Sequence, residues 1–238
     1  MKKHNLNILI TGASRGIGKA IAEKIASRCD KLFITSKNKD ACVATYNKVK
    51  LKARNVFYNH FDHEFAEVAA FEMAKWIKNY AHTLDAIVLD AGIFIDGDLT
   101  SFPHEDFQKN MNVNFTVNYF IVNNLLPLLK KSKTPRVIII GSTAAYGSYD
   151  VPTYSVAKWA LRGYAINLRE ELRNELIGVT FISPGGTYTD MWAGEDIEES
   201  RLLSTIDIAK IVDTVFELSD QAVIDEIIIK PILGDIDD

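Results

Sequence analysis

Residues 6–27 read Leu6-Asn7-Ile8-Leu9-Ile10-Thr11-Gly12-Ala13-Ser14-Arg15-Gly16-Ile17-Gly18-Lys19-Ala20-Ile21-Ala22-Glu23-Lys24-Ile25-Ala26-Ser27, and the three parts of this stretch decide the fold. Leu6 to Ile10 is a short apolar run with β-branched members, as a buried strand requires. Gly16 to Ser27 carries apolar residues at helical spacing. The turn between them, Thr11 to Gly18, is rich in glycine, which lets backbone N–H groups approach a pyrophosphate while the helix N-terminus adds donors and a favourable dipole. The spacing is GxxxGxG rather than GxGxxG, and a glycine-rich loop can simply be a tight turn. Its place between a first strand and a first helix favours dinucleotide binding, with Gly12, Ser14, Arg15, Gly16, Ile17 and Gly18 as candidate contacts.

Outward from this unit the chain alternates. Leu6–Ile10, Leu32–Thr35, Asn55–Tyr58, Ala86–Leu89, Val137–Ile140, Val179–Ser183 and Glu226–Ile229 read as strands. Gly16–Ser27, Lys39–Lys52, Glu64–Tyr80, Glu105–Lys131, Tyr154–Leu176 and Asp207–Leu218 read as helices. Such alternation implies an α/β fold: a doubly wound parallel sheet, Rossmann-like, with helices on both faces. No repeat, low-complexity tract or linker marks a second unit, so residues 1–238 are expected to form a single dinucleotide-binding and catalytic domain.

Composition excludes several classes. The 238 residues are 47% hydrophobic and 24% charged, those of an ordinary globular chain with a substantial core. A formal net charge of -4 and the lack of a basic stripe argue against a nucleic-acid or anionic-membrane partner. No apolar run reaches membrane-spanning length, and the basic N-terminus is followed only by Ile8-Leu9-Ile10, too short for a signal peptide. Cys29 and Cys42 are expected to be free thiols in a reducing, cytoplasmic setting. His60-Phe61-Asp62-His63 has no second ligand cluster elsewhere, so no metal is expected.

The chemistry concentrates in Gly141–Leu161, GSTAAYGSYDVPTYSVAKWAL. Ser142 stands where the strand Val137–Ile140 ends, the end at which open α/β sheets bind ligands. Tyr154 opens a helix, and Lys158, four residues on, lies on the same face one turn away. An ammonium beside a phenol favours the phenolate, which makes the pair a sensible acid–base unit. Taken alone, YxxxK fits the rim of an amphipathic helix equally well.

With the glycine turn and Ser142 beside it, the sequence resembles the short-chain dehydrogenases/reductases from about Asn7 to the C-terminus. The resemblance implies that Tyr154 donates or accepts the proton, that Lys158 supports it and holds the nicotinamide ribose, and that Ser142 orients a substrate carbonyl. It also implies that Asn114, in MNVNF, holds a proton-relay water. TGxxxGxG at Thr11–Gly18 would be the cofactor motif, and Asp62 and His63 would meet the adenine. Asp62 can equally cap the helix that follows. Ser183-Pro184-Gly185-Gly186-Thr187-Tyr188-Thr189 matches a PGxxxT segment, which assigns Pro184, Gly185, Thr187 and Thr189 to the nicotinamide carboxamide and pyrophosphate. Ala91 and Gly92 would pass beside the nicotinamide ribose. Two departures stand out: Asp90 replaces the usual asparagine of Asn-Asn-Ala-Gly, and Val117 replaces a glycine often found three residues after the catalytic asparagine.

Cofactor choice turns on the end of the second strand, where an NAD-preferring protein carries a carboxylate. Here Ser36 and Lys37 stand instead. Lys37 with Arg15 suits a 2′-phosphate, so NADP(H) is the expected cofactor, although Lys37 can also be read as a solvated charge. Trp192 to Thr205 reads as a small acidic lid, with Trp192 either lining the pocket or packing in the core, and Tyr146 and Tyr149 are further candidate lining aromatics. The ending EIIIKPILGDIDD, with PGGTYTDMW, looks like bacterial sepiapterin reductases. The expected activity is NADPH-dependent reduction of a small-molecule carbonyl, a sepiapterin-like diketone or, alternatively, a 3-oxoacyl thioester or 3-hydroxy acid. A third reading is an NADP-binding regulatory protein without turnover. By resemblance, the chain pairs through its two long helices as a homodimer or homotetramer.

Overall fold

The computed structural model describes residues 5–147, 151–192 and 194–236. One seven-stranded sheet runs through it: β1 Leu6–Ile10, β2 Cys29–Ser36, β3 Asn55–His60, β4 Ala86–Leu89, β5 Arg136–Ile140, β6 Gly178–Pro184 and β7 Glu226–Ile229. The spatial order is β3-β2-β1-β4-β5-β6-β7, and every pairing is parallel. Helices α1 Gly16–Ile25, α2 Lys39–Val49, α3 Ala66–Lys78, α4 His104–Met111, α5 Val117–Leu129, α6 Pro152–Leu172 and α7 Thr205–Glu217 make the crossovers.

Strand alternation sorts the core into two layers. Leu9, Phe33, Ile87, Val137, Ile139, Val179 and Phe181 face α3, α5 and α6 through Met73, Ile121, Leu125 and Leu161. Ile8, Ile10, Leu32, Ile34, Val88, Ile138 and Ile182 face α1, α2 and α7 through Ile21, Ile25, Val49, Val212 and Phe216. Residues two apart share a face and neighbours oppose, so a strand covered on both sides must be apolar where both faces are buried, as β4, residues 8–10 of β1 and residues 137–140 of β5 are. Each such side chain contributes roughly 1.5–3 kcal/mol when fully buried.

The order reverses between β1 and β4. At such a switch point the crossovers leave in opposite directions and open a crevice beyond the carboxyl ends of the strands. The turn after β1 and the turn after β4 meet there closely. Gly12 has φ +70°, and a Cβ on it would lie 2.8 Å from the Ala91 backbone nitrogen, so only glycine fits.

Two expectations about the helices are corrected. The helix read as continuous over Glu105–Lys131 is divided by a π-helical turn at Asn112–Thr116. Buried asparagine amides bond back along this stretch and redirect the ladder, a pattern that apolar spacing does not register. The helix read from Tyr154 begins at Pro152, whose fixed φ suits the first turn. No helix among the described residues is long and apolar enough to cross a membrane, and none of their His, Cys, Asp and Glu side chains form a group able to hold a metal.

Candidate active site

A cavity of about 680 Å³ fills the crevice. From the glycine turn it is lined by Gly12, Ser14, Arg15, Gly16 and Ile17; from β2 and the turn after β3 by Lys37, Asp62 and His63. Ala91 and Gly92 line it after β4, Ser142 after β5, and Tyr154 and Lys158 from α6. Pro184, Gly185, Thr187, Thr189 and Trp192 close it after β6. Thus residues scattered from position 12 to 192 converge on one volume.

Three described residues that the sequence assigned to the site, Gly18, Asn114 and Tyr146, do not line the cavity. Gly18 does not line the cavity: it backs the turn, where a Cβ would lie 2.6 Å from Asp90 Oδ2, and its N–H donates to that carboxyl group. Tyr146 points away from the cavity, donating to Glu226 at 3.2 Å with the Arg162 guanidinium 4.3 Å from its ring centroid. An available carboxylate and cation at β7 and α6 outcompete a place on the pocket rim. Tyr149 lies outside the described residues.

The interior wall is polar and largely buried. Lys158 is buried, with Nζ 5.3 Å from the centroid of the Tyr154 ring. Asn114 is fully buried. Its Oδ1 accepts from the Ile93 N–H at 3.2 Å and its Nδ2 donates to the Ile93 carbonyl at 3.0 Å and to Asn110 Oδ1 at 2.7 Å. Asn110, also fully buried, donates to the Thr153 carbonyl at 2.6 Å and so ties the π turn to the start of α6. Gly92 leaves room at this junction, since a Cβ there would meet Asn114 Oδ1 at 2.9 Å and Lys158 Nζ at 3.6 Å. Ser142 Oγ accepts the Ala144 N–H at 3.2 Å, which leaves the hydroxyl proton free to donate into the cavity.

The rim carries ion pairs. Arg15 meets Asp190 at 3.1 Å, and Lys37 meets Glu64 at 2.6 Å and Asp62 at 3.2 Å. Hydrogen bonding to Glu64 leads the effects that raise the Lys37 pKa, and pairing with Lys37 lowers that of Glu64. Asp62 also caps the following turn through the Glu64 N–H at 3.1 Å, and its pairing and cap outweigh burial to hold its pKa low. Burial brings the His63 pKa down to about 4, leaving a neutral ring in the wall. Burial drives the carboxyl of Asp90 the other way, to about 7, against the opposing pull of Lys158 and the Gly18 N–H.

Several residues escaped the sequence reading. Phe94 stands edge-on to Tyr154 with centroids 5.8 Å apart, and Asp96 lines the cavity two residues on. Asp235 and Ile236 reach it from the tail, Asp235 accepting the Gly186 N–H at 3.1 Å. Nothing in the sequence links the tail to Gly186. Asn110 did leave a signal: asparagines at 110, 114 and 118 repeat at helical spacing in a segment where asparagine is a poor helix former.

An open parallel sheet with a glycine-turn crevice and a Tyr–Lys pair in its wall defines a dinucleotide-fold protein with acid–base chemistry at the strand ends. The chain matches the short chain dehydrogenase family model over residues 6–200 and belongs to that family of oxidoreductases. It is 28% identical to a sepiapterin reductase of Chlorobaculum tepidum, covering 97% of this chain and 98% of that one. It is 31% identical to a 3-oxoacyl-acyl-carrier-protein reductase of Aquifex aeolicus over 80% of this chain and 78% of that one. Among solved structures, the Pseudomonas aeruginosa RhlG/NADP active-site complex superposes with TM-score 0.87 at 25% identity, covering 97% and 96% of the two chains. A short chain dehydrogenase from Burkholderia cenocepacia in complex with NADP also gives TM-score 0.87 at 25% identity, covering 97% and 98%.

Proposed function

We propose that the protein is an NADPH-dependent carbonyl reductase acting on a small molecule, with a sepiapterin-like diketone the preferred substrate. The observation that carries this reading is the convergence of Ser142, Tyr154 and Lys158 on a cavity whose other end is the glycine turn. The residues suit a dinucleotide: Gly12 and Gly16 both have positive φ and present a turn without side chains, ahead of the α1 N-terminus. Arg15 and Lys37 would hold the 2′-phosphate, and Asp62 and His63 the adenine. NADP stands in the complexes of similar structures.

When bound, the nicotinamide supplies the hydride that reduces the carbonyl carbon. Tyr154 gives its phenolic proton to the carbonyl oxygen. Ser142 donates its free proton to the same oxygen and fixes its position. Lys158 stabilises the negative charge left on the phenol, an effect strengthened by its dry setting. Asn114 holds the Ile93 backbone against Gly92, and its role in this reading is to hold the water that links the proton path to solvent.

The sepiapterin preference rests on similarity along almost the whole chain to the Chlorobaculum protein and on the aromatic wall of Phe94 and Trp192, which suits a flat ring. Similarity to the acyl-carrier reductase supports the alternative 3-oxoacyl substrate. Against it, Asp96, Asp190 and Glu195 line the mouth, where an acidic carrier needs a basic surface. Exposed Tyr119 on α5 and Trp159 on α6 suit pairing of the chain through these helices as a homodimer or homotetramer. The buried free thiols of Cys29 and Cys42 suit the cytoplasm.

The test is steady-state oxidation of NADPH and NADH across a panel of sepiapterin, acetoacetyl thioesters and simple diketones. Turnover of sepiapterin well above the rest, with NADPH, is expected. Preference for thioesters would move the substrate to the alternative. NADPH binding without turnover of any compound would favour a regulatory NADP-binding protein.

A further inference from the structure

Asp90 is a carboxyl group at the centre of the molecule, and neither hydride transfer nor the proton path uses it. It follows β4 at the switch point. Thr11 Oγ1 accepts its backbone N–H at 3.1 Å and the next N–H, of Ala91, at 3.2 Å, so the backbone is fixed to the end of β1. Its side chain turns under the glycine turn, with Oδ2 so near Gly18 that a methyl group there would overlap it. The group also opens onto the floor of the cavity.

The surroundings supply little to hold a charge. From the glycine turn comes the Gly18 N–H, and from α6 the ammonium of Lys158, the charged group that acts on it. The π turn contributes the neutral amide of Asn114 near Gly92. Arg15, in the same turn as Gly18, is directed to Asp190. Burial outweighs Lys158 and the Gly18 N–H, and the carboxyl titrates at about 7.

A dinucleotide in this cavity changes that balance in one direction. Its pyrophosphate brings negative charge to the turn that Asp90 supports, and its body displaces water from the floor, so both effects disfavour the carboxylate. The neutral acid suits the place better: its carbonyl oxygen still accepts the Gly18 N–H, and its hydroxyl becomes a donor. We propose that the cofactor binds with Asp90 as a neutral carboxylic acid, and that this group takes up a proton from solvent as the cofactor enters. The proposal rests on the dinucleotide reading of the cavity. Lys158 then keeps its whole charge for Tyr154 in the loaded site.

The sign and size follow from linkage. A carboxyl half-ionised near pH 7 and neutral when the cofactor is bound takes up about 0.5 proton at pH 7 and about 0.9 at pH 8. Affinity then falls as pH rises above 7, by up to about tenfold per unit. The cofactor's own 2′-phosphate, with a second pKa of about 6, releases protons on meeting cations and acts in the opposite sense. Asp90→Asn removes the first effect and keeps the second.

The experiment is isothermal titration of the full chain with NADPH at pH 8 in Tris and in HEPES, whose ionisation heats differ, for the wild type and Asp90→Asn. The expected result is that the wild type takes up roughly 0.9 proton more than the variant, and that its affinity drops several-fold more between pH 7 and pH 8.5. Equal proton uptake in the two proteins would overturn the proposal while leaving the cofactor reading intact. Failure of the wild type to bind NADPH would overturn both. Should Asp90→Asn fail to fold, the wild type suffices: net proton uptake that grows from pH 7 to pH 8 supports the proposal, and uptake that is absent at pH 8 defeats it.

Discussion

The two ends of the cavity are built on opposite principles. Around Lys158, Asn110, Asn114 and Asp90 the polar groups are set back from solvent, and the two asparagines are bonded to each other and to backbone; around Arg15 and Lys37 they are exposed and matched by carboxylates in water. Lys158 is 3% exposed as a residue, whereas the side chains of Arg15 and its partner Asp190 are 72% and 61% exposed. A buried polar group left without its partner costs about 1–3 kcal/mol, whereas an exposed ion pair contributes about 0–1 kcal/mol. The interior can therefore be set before any ligand arrives, while the rim can exchange one anion for another at small cost.

This contrast is broken most severely at Tyr154. Tyr154→Phe keeps the ring, its edge contact with Phe94 and the neighbouring Lys158, and removes only the hydroxyl. Turnover should fall by at least the roughly 10²–10⁴-fold attributable to one positioned proton donor, with NADPH affinity nearly unchanged. Fluorescence titration of NADPH beside steady-state rates separates the two, and an active Phe variant would sink the mechanism.

Next in size is the interior's response to pH without any ligand. Asp90 titrates near 4 in an unfolded chain and at about 7 in the folded one. Between those values the folded protein holds a proton the unfolded chain has lost, so stability on this account is full below about pH 4 and declines as pH rises to 7. Asp90→Asn lacks this decline. Its advantage over the wild type should be absent near pH 4 and reach a few kcal/mol by pH 8, measured as midpoints of urea unfolding. A gap independent of pH would mean that Asp90 is ionised at no cost.

Asn110→Ala should act third, by about 1 kcal/mol of stability, because it removes the side-chain bonds to Asn114 Nδ2 and to the Thr153 carbonyl, while Asn114 Nδ2 keeps its bond to the Ile93 carbonyl. If Asn110 positions Asn114 and the start of α6, kcat should fall more than KM rises, and Asn110→Asp should restore only the contact with Asn114 Nδ2. A stability loss with unchanged kcat would make it a core residue and nothing more.

How much of this was legible in the sequence follows the same division. The strands, the parallel sheet they form and the placing of Ser142, Tyr154 and Lys158 at its strand ends were readable because period-two burial and a one-turn spacing are local properties, written in adjacent residues. The π turn was not, since it depends on where buried amides find partners across 40 residues, as Asn110 does at Thr153. Tyr146 was misplaced for a related reason: an aromatic after a strand reads as pocket lining unless the distant Glu226 is known to be within reach. Asp90 was visible as a departure, but its titration was not, because burial belongs to the fold and not to the residue type.

At the rim the effects become specific to one cofactor. Arg15→Ala combined with Lys37→Ala should weaken NADPH by about ten- to a hundredfold and NADH far less, since only the former presents a 2′-phosphate. Equal losses would remove that phosphate from these residues.

The smallest effect, and the one that sharpens the contrast most, belongs to Asp190→Ala. Asp190 occupies Arg15 from the loop after β6, while the Thr189 methyl group packs beside Gly16, so the loop closes over the turn. With both partners in solvent, stability should change by no more than about 0.5 kcal/mol. Release of Arg15 should nevertheless favour the 2′-phosphate, because the cofactor no longer displaces a carboxylate from the guanidinium. NADPH affinity should rise about two- to fivefold at 10 mM salt, with NADH unchanged, and the gain should shrink by 150 mM as the Debye length falls from about 30 to 8 Å. A gain that ignores salt would point to loop packing, and equal gains for both cofactors would place Arg15 at the pyrophosphate instead.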